Sequence, residues 1–154
     1  MSKNAYIVLF LLFSFQVSSN DISIEIDISE QRLYLIQNNS IQSSYPVSTS
    51  KYGEGSIENS FKTPLGHHIV KEKIGEGALI NTIFKSRINT RRSAEIIEEY
   101  EDSDDDFVTS RIMWLDGQEE GMNKGGMVDS YKRYIYIHGT HEEGLIGSKA
   151  SHGC

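Results

Sequence analysis

The chain has 154 residues, with 15 Lys and Arg against 22 Asp and Glu, and its single cysteine is the last residue, Cys154. That length fits one domain able to bury a core, and 38% hydrophobic residues with 8 Tyr, 6 Phe and 1 Trp exclude a disordered chain. One thiol excludes an intramolecular disulfide framework and a Cys-Cys metal cage, and a net charge of −7 lacks the basic face that nucleic-acid binding requires.

The start of the chain reads as an export signal. Lys3 supplies a positive charge, residues 5–13 (AYIVLFLLF) form an unbroken apolar run, and Val17-Ser18-Ser19 offers small residues to a signal peptidase. Such a run is too short to cross a bilayer as a helix, which takes about 20 residues. Residues 1–19 are therefore expected to be a signal peptide and residues 20–154 one mature domain.

From residue 21 the pattern is β. Ile22, Ile24, Ile26 and Ile28 alternate with Ser23, Glu25, Asp27 and Ser29, the period of two of a strand with one apolar face. Residues 33–36 predict a second strand, Asn38-Asn39-Ser40 a turn, and residues 41–47 the returning strand. Residues 51–59 read as loop, and Thr63-Pro64-Leu65-Gly66 as a turn in which proline presets φ. Residues 68–70 are extended and residues 79–84 predict a short strand.

Ser93 opens the one predicted helix, with its hydroxyl as N-cap and Ile96, Ile97 and Tyr100 along one face. It runs into residues 98–106, where seven of nine side chains are acidic. Setting those seven aside leaves 15 acids against 15 bases, so the net charge is a local property. The run reads as a solvated helix end away from the chemistry, and it lacks the ligand spacing and central glycine of a calcium loop. Beyond it come a strand over 111–115, a glycine-rich loop over 117–126, a strand over 133–137 and a loop-like end. The expected fold class is mostly β, one domain with a short helical insertion.

Candidate chemistry lies in residues 134–141 (YIYIHGTH) and in Ser151-His152-Gly153-Cys154. An unpaired cysteine in an exported chain either pairs between molecules or keeps a reactive thiol. A thiol attacks carbonyls as thiolate, so it needs a base or a positive field beside it. His138, at the end of an alternating strand, is placed to be aimed into a cleft. His152 lies two residues before the cysteine, and Gly153 lets backbone approach a substrate whose oxyanion amides can meet. The residues alone leave two other readings open: an inert buried thiol with inert histidines, and a zinc set of His138, His141, His152 and Cys154, whose spacing matches no common structural pattern. Lys124, Lys132, Arg133 and Lys149 read as solvated, His67 and His68 as turn or surface residues, and His141 as a residue bordering the cleft.

His138-Gly139-Thr140, thirteen residues between His138 and His152, and Ser151-His152-Gly153-Cys154 together resemble the signature of the L,D-transpeptidase (YkuD-type) catalytic domain. Residues 28–35 (ISEQRLYL), 45–49 (YPVST), Thr63-Pro64-Leu65-Gly66 and 133–139 (RYIYIHG) stand in that family's usual order. The resemblance spans about residues 22–154, nearly all of the expected mature chain.

The resemblance implies a β-sandwich-like catalytic domain and an exported cysteine acyltransferase of the periplasm or cell envelope, serving peptidoglycan synthesis and cell shape. Cys154 would attack a tetrapeptide stem, expel D-Ala and pass the acyl group to an amine of a second stem or of an envelope protein. With water as acceptor the same scaffold is an L,D-carboxypeptidase or amidase. His138 would be the general base and proton donor, the Gly139 carbonyl would orient its ring, and Ser151, His152 and Gly153 would line the substrate and oxyanion side. The resemblance implies no metal and no organic cofactor, no nucleic-acid partner, and no membrane span once the signal is removed. The family continues past the motif with further elements and an arginine that helps hold a substrate carboxylate. Here the sequence ends at Cys154, so the expectation is a C-terminally truncated domain of weak or no transpeptidation, or an inactive cell-wall binding module. A terminal carboxylate beside the thiol would raise the thiol's pKa.

Overall fold

The computed structural model describes residues 21–153; the expected signal peptide over 1–19, and Cys154, lie outside the described residues. Strands β1 (Ile22–Asp27), β2 (Arg32–Gln37) and β3 (Ser40–Pro46) form an antiparallel sheet in that order. Asp27 makes the first reversal, its carboxylate accepting from the amides of Ser29 at 2.8 Å and Glu30 at 3.1 Å. Asn38 and Asn39 make the second, at φ 50° and 60°, the left-handed pair that a two-residue hairpin turn requires and that asparagine tolerates.

Strands β4 (His68–Ile74), β5 (Thr82–Lys85), β6 (Ile88–Ser93), β7 (Val108–Gly117) and β8 (Tyr136–Gly139) form the second sheet. β7 is its spine. It pairs with β4 from Ile112 to Gly117, with β5 at Val108 and Thr109, and with β8 from Trp114 opposite Tyr136 to Thr109 opposite Gly139. The core follows the same strand, with Ile112 at 1% exposure and Ile83, Phe84, Trp114, Ile135 and Leu145 buried around it. Between the sheets lies a cavity of about 1010 Å³. The isoleucines of β1 line it on one side and Met113, Leu115 and Ile137 on the other, so the stripe read from the period of two faces the space between the layers. The domain is mostly β and two-layered, as expected.

The predicted helix does not form. Ser93 is the last residue of β6, and residues 94–106 run as an irregular strap. On a helix, Glu95 and Glu99, Glu98 and Asp102, Glu101 and Asp105, and Asp102 and Asp106 would each stack one turn apart, and like charges at that spacing repel. The strap finds hydrogen bonds elsewhere: the Ala94 amide donates to Asn81 O at 2.8 Å, the Ile97 amide to His141 O at 2.8 Å, and the Gly144 amide to Ile97 O at 2.9 Å. The helical content of the described residues is two single 3-10 turns, Gly126–Val128 and Glu143–Leu145. β8 also lies further along than the predicted 133–137, because Tyr134, at φ 61°, still belongs to a turn. Among the described residues no helix is long and apolar enough to cross a membrane.

Candidate active site

His138 sits inside β8, opposite Ile112 of β7, with Gly139 opposite the fully buried Thr109. A Cβ at Gly139 would lie 2.9 Å from both the carbonyl and the hydroxyl oxygen of Thr109, so the strands meet here only because this residue has no side chain. The ring Nδ1 of His138 is 2.8 Å from the Gly139 carbonyl oxygen. A carbonyl oxygen only accepts, so Nδ1 carries the hydrogen and the lone pair of the neutral ring is on Nε2. Burial pushes the His138 pKa below the usual imidazole value, while the Gly139 carbonyl and the negative field of Asp106 act in the opposite direction. A neutral imidazole with a fixed tautomer is an acceptor for a proton.

The segment before Cys154 is held by the loop after β3. The Ser151 amide donates to Thr49 O at 3.1 Å, and the Lys51 amide donates to Ser151 O at 2.9 Å. Between those anchors Ser50 is fully buried; its hydroxyl donates to the Phe61 carbonyl, and its amide donates to the Thr63 hydroxyl at 3.0 Å. Gly153 packs against the same loop at φ 123°, where a Cβ would come within 2.7 Å of Phe61 Cβ and 2.9 Å of its Cα. Phe61 itself is at φ 58°, a left-handed conformation that the Ser50 hydroxyl holds through the Phe61 carbonyl, and Asn59 is at φ 62°. The Gly153 amide is engaged by the Ser151 hydroxyl at 3.2 Å. His138, Gly139 and Ser151 line the large cavity together with Asp106 and the turn at 63–66.

A family model for the L,D-transpeptidase catalytic domain (YkuD) matches residues 21–154. The chain belongs to this family. No curated protein and no solved structure matches it. L,D-transpeptidases act on peptidoglycan stem peptides in the cell envelope, and membership supports a peptidoglycan-modifying function of that general type.

Two features of this L,D-transpeptidase domain lie beyond the motif. The first is that the acidic run is not remote from it. Asp102 Oδ1 is 3.2 Å from His152 Nε2, Asp106 Oδ2 is 3.9 Å from His152 Nδ1, and Asp102 Oδ2 holds Lys51 Nζ at 3.1 Å. The Lys51 hydrogen bond, and after it the field of His152, keep the Asp102 carboxyl below the usual aspartate pKa. Beside them Glu142, buried, accepts from the Ser103 amide at 2.7 Å and the Ser103 hydroxyl at 2.8 Å. Asp102, Glu142 and His152 each present a metal-capable atom within 4.8 Å of the others. Lys51 donates to Asp102, and the amide and hydroxyl of Ser103 donate to Glu142. His141 faces the strap as well: it is 4% exposed, its Nε2 meets the Ser103 hydroxyl at 3.1 Å, and its ring packs 4.8 Å from that of Phe107. The seven acidic residues of the run are exposed, as expected, but a charge run gives no local sign of the long-range partners that bring it against His152.

The second feature is Arg133, whose expected solvated state is not what the fold gives it. One guanidinium nitrogen, Nη2, donates to Lys62 O at 2.9 Å; the other, Nη1, is sealed from solvent and has no hydrogen-bond partner among the described residues. Lys149 by contrast pairs at the surface with Glu54 at 2.7 Å. His68 bridges Gly66 O and the Ser130 hydroxyl, each at 2.9 Å, and the His67 amide donates to Glu119 at 2.6 Å; both hold the turn.

Proposed function

We propose that the mature chain, residues 20–154, is an exported cysteine acyltransferase that modifies peptidoglycan stem peptides, with residues 1–19 as the removed signal and the periplasmic cell envelope as its place of action. The observation that carries the reading is the His138 ring, fixed through Nδ1 on the Gly139 carbonyl at 2.8 Å with Nε2 left to take a proton, in the wall of a cavity it shares with Ser151. His138 Nε2 takes the proton of the Cys154 thiol. The thiolate adds to the carbonyl of the third stem residue, and the oxyanion meets the Cys154 amide, since the Gly153 amide is already engaged. Collapse breaks the C–N bond, the protonated imidazole returns its proton to the departing D-Ala amine, and a thioester remains. An amine of a second stem or of an envelope protein attacks that thioester, gives its proton to His138, and the thiol leaves. Water in place of the amine gives the L,D-carboxypeptidase outcome.

The Gly139 carbonyl acts as the third member of a Cys-His-acceptor arrangement, holding the tautomer in which Nε2 accepts. Purified mature chain incubated with tetrapeptide muropeptides and followed by mass spectrometry tests this reading. The expected result is D-Ala release with a thioester adduct on Cys154, abolished in Cys154→Ala and strongly reduced in His138→Gln. Cross-linked dimers identify an amine acceptor, and D-Ala release alone identifies water. Turnover unchanged in Cys154→Ala, or binding with no acyl adduct, refutes it.

A further inference from the structure

Where the acidic strap meets the motif, Asp102, Glu142 and His152 each turn one metal-capable atom toward the others, and the three atoms lie within 4.8 Å of one another. Two ligands of one zinc ion, each about 2.0–2.2 Å from it, stand about 2.9–3.5 Å apart. The 3.2 Å between His152 Nε2 and Asp102 Oδ1 already has that span. The hydrogen bond that anchors Asp102 comes from Lys51, on Oδ2 at 3.1 Å, and His152 acts on the carboxylate through its field. His152 Nδ1 is sealed from solvent without a hydrogen-bond partner among the described residues, 3.9 Å from Asp106. Glu142 is the decisive member. It is 6% exposed, and a carboxylate is almost never buried so far without a cation. Yet among the described residues no Lys, Arg or His nitrogen comes within 4.0 Å of it. Both Ser103 donors fall on one oxygen, Oε1, which leaves the other without a donor among the described residues.

We propose that Asp102, Glu142 and His152 form a zinc site that clamps the acidic strap to the segment leading to Cys154. One imidazole and two carboxylates suit Zn²⁺ in donor type, and the two negative charges balance the ion. The outer shell is already built. Lys51 holds the far oxygen of Asp102 and Ser103 holds one oxygen of Glu142, the kind of second contact that orients ligating carboxylates. The side chains of Asp102 and His152 are 48% and 27% exposed, so an ion has a path from solvent. The strap residue Asp102, the most exposed of the three, is free to close on the other two. The site shares only His152 with a histidine–thiol set, and it takes no part in proton transfer or thiol attack. Its role is to hold residue 152 in place, and the inference stands independently of the chemistry proposed for Cys154.

Zn²⁺ titrated by calorimetry into the mature chain carrying Cys154→Ala, with Mg²⁺ in parallel, tests this without the thiol. The expected result is one saturable zinc site per chain and no matching magnesium site. Zinc should also slow cleavage at Glu98, Glu99 and Glu101 by a glutamate-specific protease. Asp102→Asn, Glu142→Gln and His152→Gln should each weaken binding about a hundredfold or more, since losing even an outer-shell partner costs about 10–100-fold. The double variant Asp104→Asn, Asp105→Asn, which changes exposed acids outside the set, should keep the affinity. Absence of a saturable zinc site in the parent chain overturns the proposal whether or not any variant folds. Binding that survives Asp102→Asn in folded protein overturns it too, as does binding lost equally in the Asp104, Asp105 variant, which marks diffuse attraction to the run. Binding abolished by His138→Gln but not by Glu142→Gln assigns the ion elsewhere, and unchanged cleavage in the zinc-bound chain refutes the clamp.

Discussion

Gly144 follows His138 by six residues and lies in the 3-10 turn that carries the strap, and replacing it with alanine separates packing from backbone strain. A Cβ there would stand 1.9 Å from the Glu99 carbonyl oxygen and 2.4 Å from that of Glu98, distances that only movement of backbone can relieve. The strap must lift, breaking the bonds from the Ile97 amide to His141 O at 2.8 Å and from the Gly144 amide to Ile97 O at 2.9 Å. Each is worth about 0.5–1.5 kcal/mol net, so Gly144→Ala should cost about 1–3 kcal/mol. The displaced segment carries Asp102 and Asp106 away from His152, and it contains six glutamates or aspartates within residues 98–105. Urea unfolding gives the energy, and digestion with a glutamate-specific protease gives the location, since cleavage at Glu98, Glu99 and Glu101 should accelerate before global unfolding does. A variant within 0.5 kcal/mol of the parent by urea unfolding, with unchanged cleavage there, would show that the strap is not held through Gly144 and would refute the packing argument.

Acidification tests His138. Its unfolded value is near 6.5 and its folded value is lower because of burial, so below 6.5 the unfolded chain binds the extra proton first. Stability from this group is full above that pH and is lost as pH falls through 6.5 toward the folded value; the denaturation midpoint should drop on that side, and His138→Gln should flatten the slope. Asp106→Asn removes the charge that opposes the shift and should move the His138 titration, followed by NMR, still lower. Arg87 lies 4.7 Å from the Trp114 ring and 4.8 Å from the Tyr134 ring and donates to Tyr136 at 3.0 Å; Arg87→Ala should cost about 1–2 kcal/mol and change the emission of the sole tryptophan.

What the sequence made legible was what short-range chemistry controls. The isoleucine alternation located β1 and its inward face, and the Asn38-Asn39 pair located the hairpin, because strand period and left-handed turns leave residue-level marks. β6 carried no such mark: its sequence, INTRRS, has no alternation, and the turn before it uses Ser86 and Arg87 at φ 48° and 68° without glycine or asparagine. The helix expected from Ser93 had a good cap and an apolar face, but its acidic pairs one turn apart and the bonds offered by the loop at 141–144 outweighed them. At the site, the motif named His138, Ser151, His152 and Gly153 from spacing and resemblance. Asp102, Asp106 and Arg133 were legible only as charges, since what gives them meaning is a partner, or the want of one, dozens of residues away in the chain.

β7 has a consequence for how the site breathes. His138 is bonded into the strand that three others share, so its backbone belongs to the unit whose amides should exchange with solvent last. The Ser151–Gly153 segment is held by a single parallel bridge to a loop, two backbone bonds at 2.9 and 3.1 Å, and the carboxylates of an exposed strap. The two halves of the motif therefore sit on opposite sides of a boundary between cooperative units. Under the chemistry proposed above, the base would keep its place while the segment leading to Cys154, held by fewer backbone bonds, would open first, and a seated donor peptide would draw it closed.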